Sequence, residues 1–314
     1  MKLLVTIDVE EEGLFRGIYE RTDVQVSNVP ALYKLDSIFR EWGIHPTLLL
    51  TYQVVGFAPY GDLMADLKER WGAEIGAHLH HWNTPPLIDL PHRDPVPSEL
   101  IPVEILQSKM NTLLEAFDAV GVSPVSFRMG RFNMGTRMFS VLEKTPILVD
   151  SSVAPLRREY GGPDHFAAQI DPYFPDPADI VRPGSSSILE APITIVPLTP
   201  ALGHYLEQLR TRAIFPDSMV SWVAPNLCSI PVQPVWTGLK RLKIAVDLHR
   251  RRGGQVLTIF FHSSELMPGI SPQHPSPAHV DRFLQKLSRF FAWLHKSNSV
   301  ESLTLSQLRS AYAG

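Results

Sequence analysis

The stretch "AEIGAHLHHW", residues 73–82, decides how this chain is read. Its first seven residues form a short apolar run of strand length, and the run ends in three histidines within four positions. Six further runs have the same character: "KLLVTID" (2–8), "PTLLLT" (46–51), "SPVSFRM" (123–129), "PILVDSS" (146–152), "ILEAPITIVP" (188–197) and "QVLTIFFH" (255–262). Helical spacing separates several of them. Over 102–121, Leu106, Met110, Leu113, Leu114, Phe117 and Val120 recur on one face, with Gly121 at the stop position. Over 278–296, Val280, Phe283, Leu284, Leu287, Phe290, Phe291 and Leu294 do the same, and segment 30–43 opens on Pro30 and closes on Gly43. Strand–helix alternation implies parallel strands joined by right-handed crossovers. Seven such strands predict an α/β fold, a (β/α)7 barrel that is closed or else distorted and incomplete. A doubly wound open sheet is the alternative, but no Gly-x-Gly-x-x-Gly follows the first strand, so a dinucleotide site lacks its fingerprint.

Composition narrows the classes. The 314 residues carry 44% apolar and 19% charged side chains and a net charge of −3, which suits a folded globular protein with no nucleic-acid or anionic-membrane partner. The basic run "LHRRRGG" (248–254) fits a helix end, where positive charge complements the dipole. A single cysteine, Cys228, excludes a disulfide framework and a cysteine-rich zinc module. The apolar run at Leu3–Ile7 is short for a signal segment, and no run approaches a membrane span, so a cytoplasmic location is expected. The 28 prolines cluster at 85–102, 155–200 and 216–235, which predicts stiff loops there. One domain over 1–314 is expected, with 155–255 a proline-rich insertion between the fifth and last barrel strands.

In a parallel barrel, chemistry gathers at the carboxyl ends of the strands. There the first strand places Asp8 and Glu10, the third the histidine cluster, the fourth Arg128 and Arg131, the fifth Asp150, and the last His262 and Glu265. Each such group carries a desolvation cost with no packing gain, so five together point to a site. Asp8 alone could cap a helix, but Asp8 and Glu10 are two apart and face one way on a strand. His78 and His80 likewise share a side, while a turn beginning at Leu79 would instead pair His78 with His81. With Glu10 they make a two-histidine, one-carboxylate set that suits zinc or another first-row metal and leaves positions open for water and substrate. Arg128 follows apolar residues and needs a carboxylate partner, Asp8 or Asp150. His262 reads as a site residue or as a satisfied core histidine, and Trp82 as a pocket wall. Glu265, His204, His92 and His165 carry no assignment.

Taken in order, "TIDVE", "GAHLHHW", "RMGRFN", "VDSS" and "IFFH" resemble the five motifs of the polysaccharide deacetylase family, which shares its domain with chitooligosaccharide and peptidoglycan deacetylases. The resemblance spans most of the chain and is nearest to the branch associated with O-antigen and polysaccharide assembly. It implies a (β/α)7 barrel and a metal-dependent hydrolase that removes an N-acetyl group from a sugar or glycan. By the resemblance Asp8 would be the base, Glu10, His78 and His80 (or His81) the ligands of one divalent ion, zinc before cobalt or nickel, and His262 the acid. Arg128 would hold Asp8, and Asp150 would orient Arg128 or His262. Trp82, Arg131 and Phe132 would meet the substrate, with a backbone N–H near Gly130–Phe132 as oxyanion donor. Three departures stand out: the two acids of the first motif are separated by one residue, position 82 holds tryptophan where the family's second motif has its second histidine, and the arginine motif lacks its proline. Two other functions share these features, a cyclic-amide or ureide hydrolase of the allantoinase kind and a catalytically silent glycan-binding protein.

Overall fold

The computed structural model describes residues 1–56, 60–158, 162–199, 208 and 227–312. Seven parallel strands form the barrel sheet: β1 (Lys2–Val9), β2 (Thr47–Thr51), β3 (Glu74–Leu79), β4 (Ser126–Met129), β5 (Val149–Asp150), β6 (Leu189–Glu190) and β7 (Val256–His262). Their order is β7-β1-β2-β3-β4-β5-β6, the curled, incomplete barrel that the seven apolar runs predict. An eighth strand, β8 (Glu301–Leu303), pairs with Lys2–Leu4 of β1 at the amino end. β6 and β7 are not strand partners, but Thr194 bridges the gap: its N–H donates to Thr258 O at 3.1 Å and its Oγ1 accepts from Thr258 N at 2.8 Å.

The alternation along β1 shows how the barrel is filled. Leu3, Val5, Ile7 and Val9 pack outward with Leu287, Phe290 and Phe291 of the helix Pro277–Ser297 and with Leu106 and Leu113 of the helix Val103–Ala119 in the main core. Leu4 packs inward with Leu49, Val149, Leu189 and Val256, and Leu305 and Leu308 of the terminal helix Leu305–Tyr312 close this apolar floor. Above the floor the same inward positions turn polar, with Thr6, Asp8 and then Glu10. Both faces of the sheet are therefore covered, which is why its strands read as continuous apolar runs.

The helices lie close to their predicted spans, and Gly43 ends the helix Asp36–Trp42 in the left-handed region at φ 56°. The basic run at 248–254 does close a helix, Leu239–Arg251. The predicted strand 188–197 is split: Leu189–Glu190 stays in the barrel, while Ile195–Pro197 pairs antiparallel with Ser229–Pro231. Pro192 lies between the two pieces, where its missing N–H interrupts a ladder. Within 155–255 a hairpin forms from Pro175–Asp176 and Asp179–Pro183, while 159–161, 200–207 and 209–226, including His204, lie outside the described residues. Among the described residues no helix is long and apolar enough to cross a membrane.

Candidate active site

Strand register sets the heights of the rim residues. Val9 lies level with Leu50 and Leu50 with Ala77, so Glu10 and His78 stand at one height on either side of β2. His78 pairs in register with Arg128, Asp8 with His262 and Asp150 with Glu190. His80 follows β3 by one residue and keeps the strand's side. The result is a cluster in which Glu10, His78 and His80 each offer one ligand atom within 4.8 Å of the others, all three buried. Glu10 Oε2 lies 3.4 Å from His78 Nε2 and 3.3 Å from His80 Nε2. His81 is outside the cluster. Burial together with the charges of Lys109 and His80 pushes it down to about 3, and its Nδ1 lies 3.8 Å from Asp94 Oδ1.

The surroundings of the two imidazoles test whether these residues fit a cation. His78 Nδ1–H donates to the carbonyl of Arg128 at 2.9 Å, and His80 Nδ1–H donates to Glu11 Oε1 at 2.7 Å. Both Nε2 atoms are then left to the cluster, 3.0 Å apart and facing a carboxylate. In neutral rings these are two opposed lone pairs, an arrangement that requires a proton or a metal ion between them. Burial disfavours a charged His80, but Glu11 and Glu10 outweigh it and raise His80 to about 9. Burial likewise raises Glu10, yet His262, His78 and His80 hold it well below the usual carboxylate range. Nitrogen and oxygen donors with hydrogen-bonded outer nitrogens are the chemistry of a divalent first-row metal site. The residues fit.

Glu11 is the residue that orients His80, and strand alternation from Asp8 and Glu10 does not point to it. Its Oε1 also accepts from Trp82 Nε1 at 3.2 Å and Asn83 Nδ2 at 2.6 Å. Trp82 stacks on His80 with ring centroids 4.2 Å apart and is 3% exposed. It is not among the residues around the cavity, so the expectation of a substrate-facing Trp82 is corrected: its indole N–H is committed to Glu11, which draws the ring behind the imidazole of His80. Gly130 completes this packing, since a Cβ there would lie 2.5 Å from His80 Cδ2 and 2.9 Å from Leu79 O. Arg131 and Phe132, next in the chain, both hold positive φ, 59° and 53°, and both line the cavity.

Next to the cluster Asp8 and His262 face one another. Arg128, fully buried, donates through Nη1 to Asp8 Oδ1 at 2.6 Å, through Nη2 to Thr6 Oγ1 at 2.8 Å and Ser151 Oγ at 2.9 Å, and through Nε to Ser151 O at 2.7 Å. Of the two partners left open for Arg128, Asp8 is the one bonded. Asp8 Oδ2 lies 3.7 Å from His262 Nε2. On its other side His262 Nδ1–H donates to Glu265 Oε1 at 3.2 Å, and its backbone N–H donates to Glu265 Oε2 at 2.9 Å. Burial lowers His262, but Glu265, Glu10 and Asp8 outweigh it and raise it to about 9.

Asp150 bonds neither Arg128 nor His262. It accepts from Ser152 Oγ and lies beside Glu190, and burial raises both carboxyls, Glu190 further through the charge of Asp150. The neighbouring Ser151 holds Arg128 instead, and Glu265 holds His262. The expected direct support from Asp150 is thus corrected, because on the short β5 the side chain after Asp150 faces the guanidinium. His165 packs elsewhere: its Nε2–H donates to Met134 O at 2.7 Å. His92 is exposed.

Asp8, Glu10, His78, Arg128, Phe132 and His262 open onto one cavity of about 550 Å³. The 155–255 region contributes part of its wall through Arg157, Gln233, Trp236 and Arg241.

No protein-family model matches this sequence, and no curated protein matches it. Solved structures do share the fold. A Mycobacterium smegmatis protein assigned as a polysaccharide deacetylase superposes with a TM-score of 0.57 at 15% identity, over 99% of this chain and 89% of its own. A Parabacteroides distasonis protein assigned as a glycoside hydrolase/deacetylase gives 0.62 at 12% identity, over 99% and 70%. A 4-alpha-glucanotransferase from Thermococcus litoralis gives 0.53 at 13%, over 99% of this chain and 40% of that larger one. The shared architecture is the distorted (β/α)7 barrel, and among these structures it carries more than one carbohydrate chemistry, so the reaction is argued from the side chains.

Proposed function

We propose that this chain is a divalent-metal-dependent hydrolase that removes the N-acetyl group from a sugar or glycan intermediate, with residues 1–314 acting as one catalytic domain. The observation that carries the reading is the Glu10–His78–His80 cluster, whose Glu10 and His78 line one cavity together with Asp8 and His262. A glycosyl-transfer centre needs two carboxylates free to act as acid and nucleophile. Here Asp8 is bound to Arg128 and Glu10 faces two imidazoles. A divalent ion held by Glu10, His78 and His80, zinc first and cobalt or nickel by the same ligand chemistry, would supply Lewis acidity toward the acetamide carbonyl and its attacking water.

The remaining steps belong to the chain. Amide hydrolysis removes one proton from water and delivers one to the departing nitrogen. Asp8 is the group for the first: Arg128 fixes its Oδ1, which leaves Oδ2 toward His262 and the cavity. His262 is the group for the second, since its raised pKa keeps it protonated at neutral pH and Glu265 fixes the ring. The protonated His262 would also favour the negative charge that develops on the carbonyl oxygen, and a backbone N–H near Gly130–Phe132, a turn whose Arg131 and Phe132 line the cavity, is the proposed further donor. Asp150 acts on Arg128 at one remove, through its charge and the adjoining Ser151. Arg131 and Phe132 meet the substrate.

Acetate release from a panel of N-acetylated sugars tests this reading. Metal-loaded wild type is expected to release acetate from at least one, and Asp8→Asn to lose about 10²–10⁴-fold in turnover with its metal retained. Ring opening of a cyclic amide or ureide with no acetate from any sugar would replace it.

A further inference from the structure

We infer that Asp150 and Glu190 hold one proton between them and act as a dyad that positions Arg128, and through it Asp8. The inference assigns Glu190 a role, and it rests on the deacetylase reading for what Asp8 does. β5 and β6 pair in parallel with Asp150 level with Glu190, so the two side chains stand next to one another on one face. Val149 and Leu189, the residues before them, pack into the apolar floor, which puts both acids on the outer side of the sheet. Both are fully buried.

Their hydrogen bonds do not close without a proton. Ser152 Oγ donates to Asp150 Oδ1, and Val153 N donates to Glu190 Oε1 at 3.1 Å. Among the described residues, no amide, hydroxyl or cation donates to Asp150 Oδ2, which is buried. The two carboxyl groups do lie within hydrogen-bonding reach of each other. Ionised carboxylates only accept, so one of the two must bring a proton. Charge balance gives the same answer. Arg128 acts on both acids, yet its N–H groups go to Asp8, Thr6 and Ser151. Ionised together, Asp8, Asp150 and Glu190 would all press on that one guanidinium, and a shared proton relieves the crowding. Burial raises both carboxyls and the charge of Asp150 raises Glu190 further, which puts the proton on Glu190.

The pair is set where it controls Arg128. Its two donors, Ser152 and Val153, directly follow Ser151, whose O and Oγ hold the guanidinium. Ser152 Oγ also accepts from Met129 N at 2.8 Å, and Ser151 Oγ donates to Ala191 O at 2.7 Å. The segment 151–153 is thereby tied to β4 and to the residue after β6. An ionised Glu190 would repel Asp150 and loosen these ties. Neither acid lines the cavity, so the role is one of positioning.

Infrared spectra of metal-loaded wild type at neutral pH, where ordinary carboxyls are ionised, should show a protonated-carboxyl band that shifts in deuterium oxide. Glu190→Gln and Asp150→Asn should each remove or displace it. A wild type without the band, or a band unchanged in both variants, overturns the shared proton. Positioning is read at Arg128 Nε–H, whose exchange with solvent should be slow while Ser151 O holds it. Glu190→Leu should speed that exchange and lower kcat about tenfold with KM little changed. Glu190→Gln, whose amide donates to Asp150 and accepts from Val153, should restore most of both. A leucine variant with wild-type exchange and kcat overturns the role, as does a glutamine variant no better than the leucine one. The band is read on wild type and the amide variants, so it decides the shared proton even where Glu190→Leu does not fold. A wild type that releases no acetate would retire the deacetylase reading, while the band and the exchange rate, which need no substrate, would still decide this inference.

Discussion

His165 and His249 are as deeply buried as His80, yet their net shifts run opposite to that of His80. Each of the first two meets backbone: His165 donates to Met134 O and accepts from Ala154 N, and His249 donates to Val256 O. Burial pushes both down to about 4, with Arg252 adding to the effect at His249. At the barrel rim, burial pushes the same way on His80 and His262, and the surrounding carboxylates reverse it to about 9. The contrast separates a histidine that packs against backbone from one that stands among carboxylates. A packing histidine needs its two nitrogens satisfied, which backbone groups can do. A histidine among several buried carboxylates is stable only with a positive charge present, as a proton or a metal ion.

Removing charge from the rim should have the largest effect. Arg128→Met leaves Asp8 buried without its partner, and thermal or denaturant unfolding should show a loss of about 3–5 kcal/mol. A variant as stable as wild type would mean the rim tolerates uncompensated charge and the contrast is empty.

The packing histidines give the next test, through pH. Their folded pKa values lie below the unfolded value of about 6.5, so the unfolded chain binds more protons between those limits. Their contribution to stability is complete above about pH 6.5 and lost as pH falls toward 4. His165→Gln should flatten that acid decline by up to about 3 kcal/mol, read from urea unfolding at several pH values. The rim pair has the opposite sign in metal-free protein: the contribution of His80 and His262 is complete below about 6.5 and lost as pH rises through about 9.

Smaller effects sharpen the picture of the rim itself. Gly130→Ala drives a methyl group against His80, and metal affinity is expected to fall about 10–100-fold with the fold intact. Glu265→Gln removes the first of the carboxylates that raise His262, so the alkaline limb of the pH–rate profile should move to lower pH while metal content holds. An unmoved limb would take His262 out of the acid role.

Much of this was legible in the residues, and the limit is physical. Inside a strand, side chains alternate, so Asp8 with Glu10 and His78 with His80 could be placed on one side from spacing alone. The alternation lapses where the strand stops. β3 ends at Leu79 and the chain turns, with Thr84 N donating to His80 O at 3.1 Å; Trp82 therefore lies behind the imidazole of His80 and not before it. β5 is two residues long, too short for the pattern to tell Asp150 from Ser151 as the partner of Arg128. Glu11 and Glu265 act from outside strands. The second had a readable signal, since an acid three residues after a strand's last residue can reach back to it, as Glu265 does to His262 N. Strand β8, "ESL", carries too little apolar character to announce itself.

The central claim, that Glu10, His78 and His80 form a metal centre, is tested most directly by the metal content of purified wild type beside His78→Ala/His80→Ala, after each has been offered zinc, cobalt and nickel. About one ion per chain is expected in the wild type and none in the variant at matched folding. A wild type that takes up no metal under any of these conditions would contradict it.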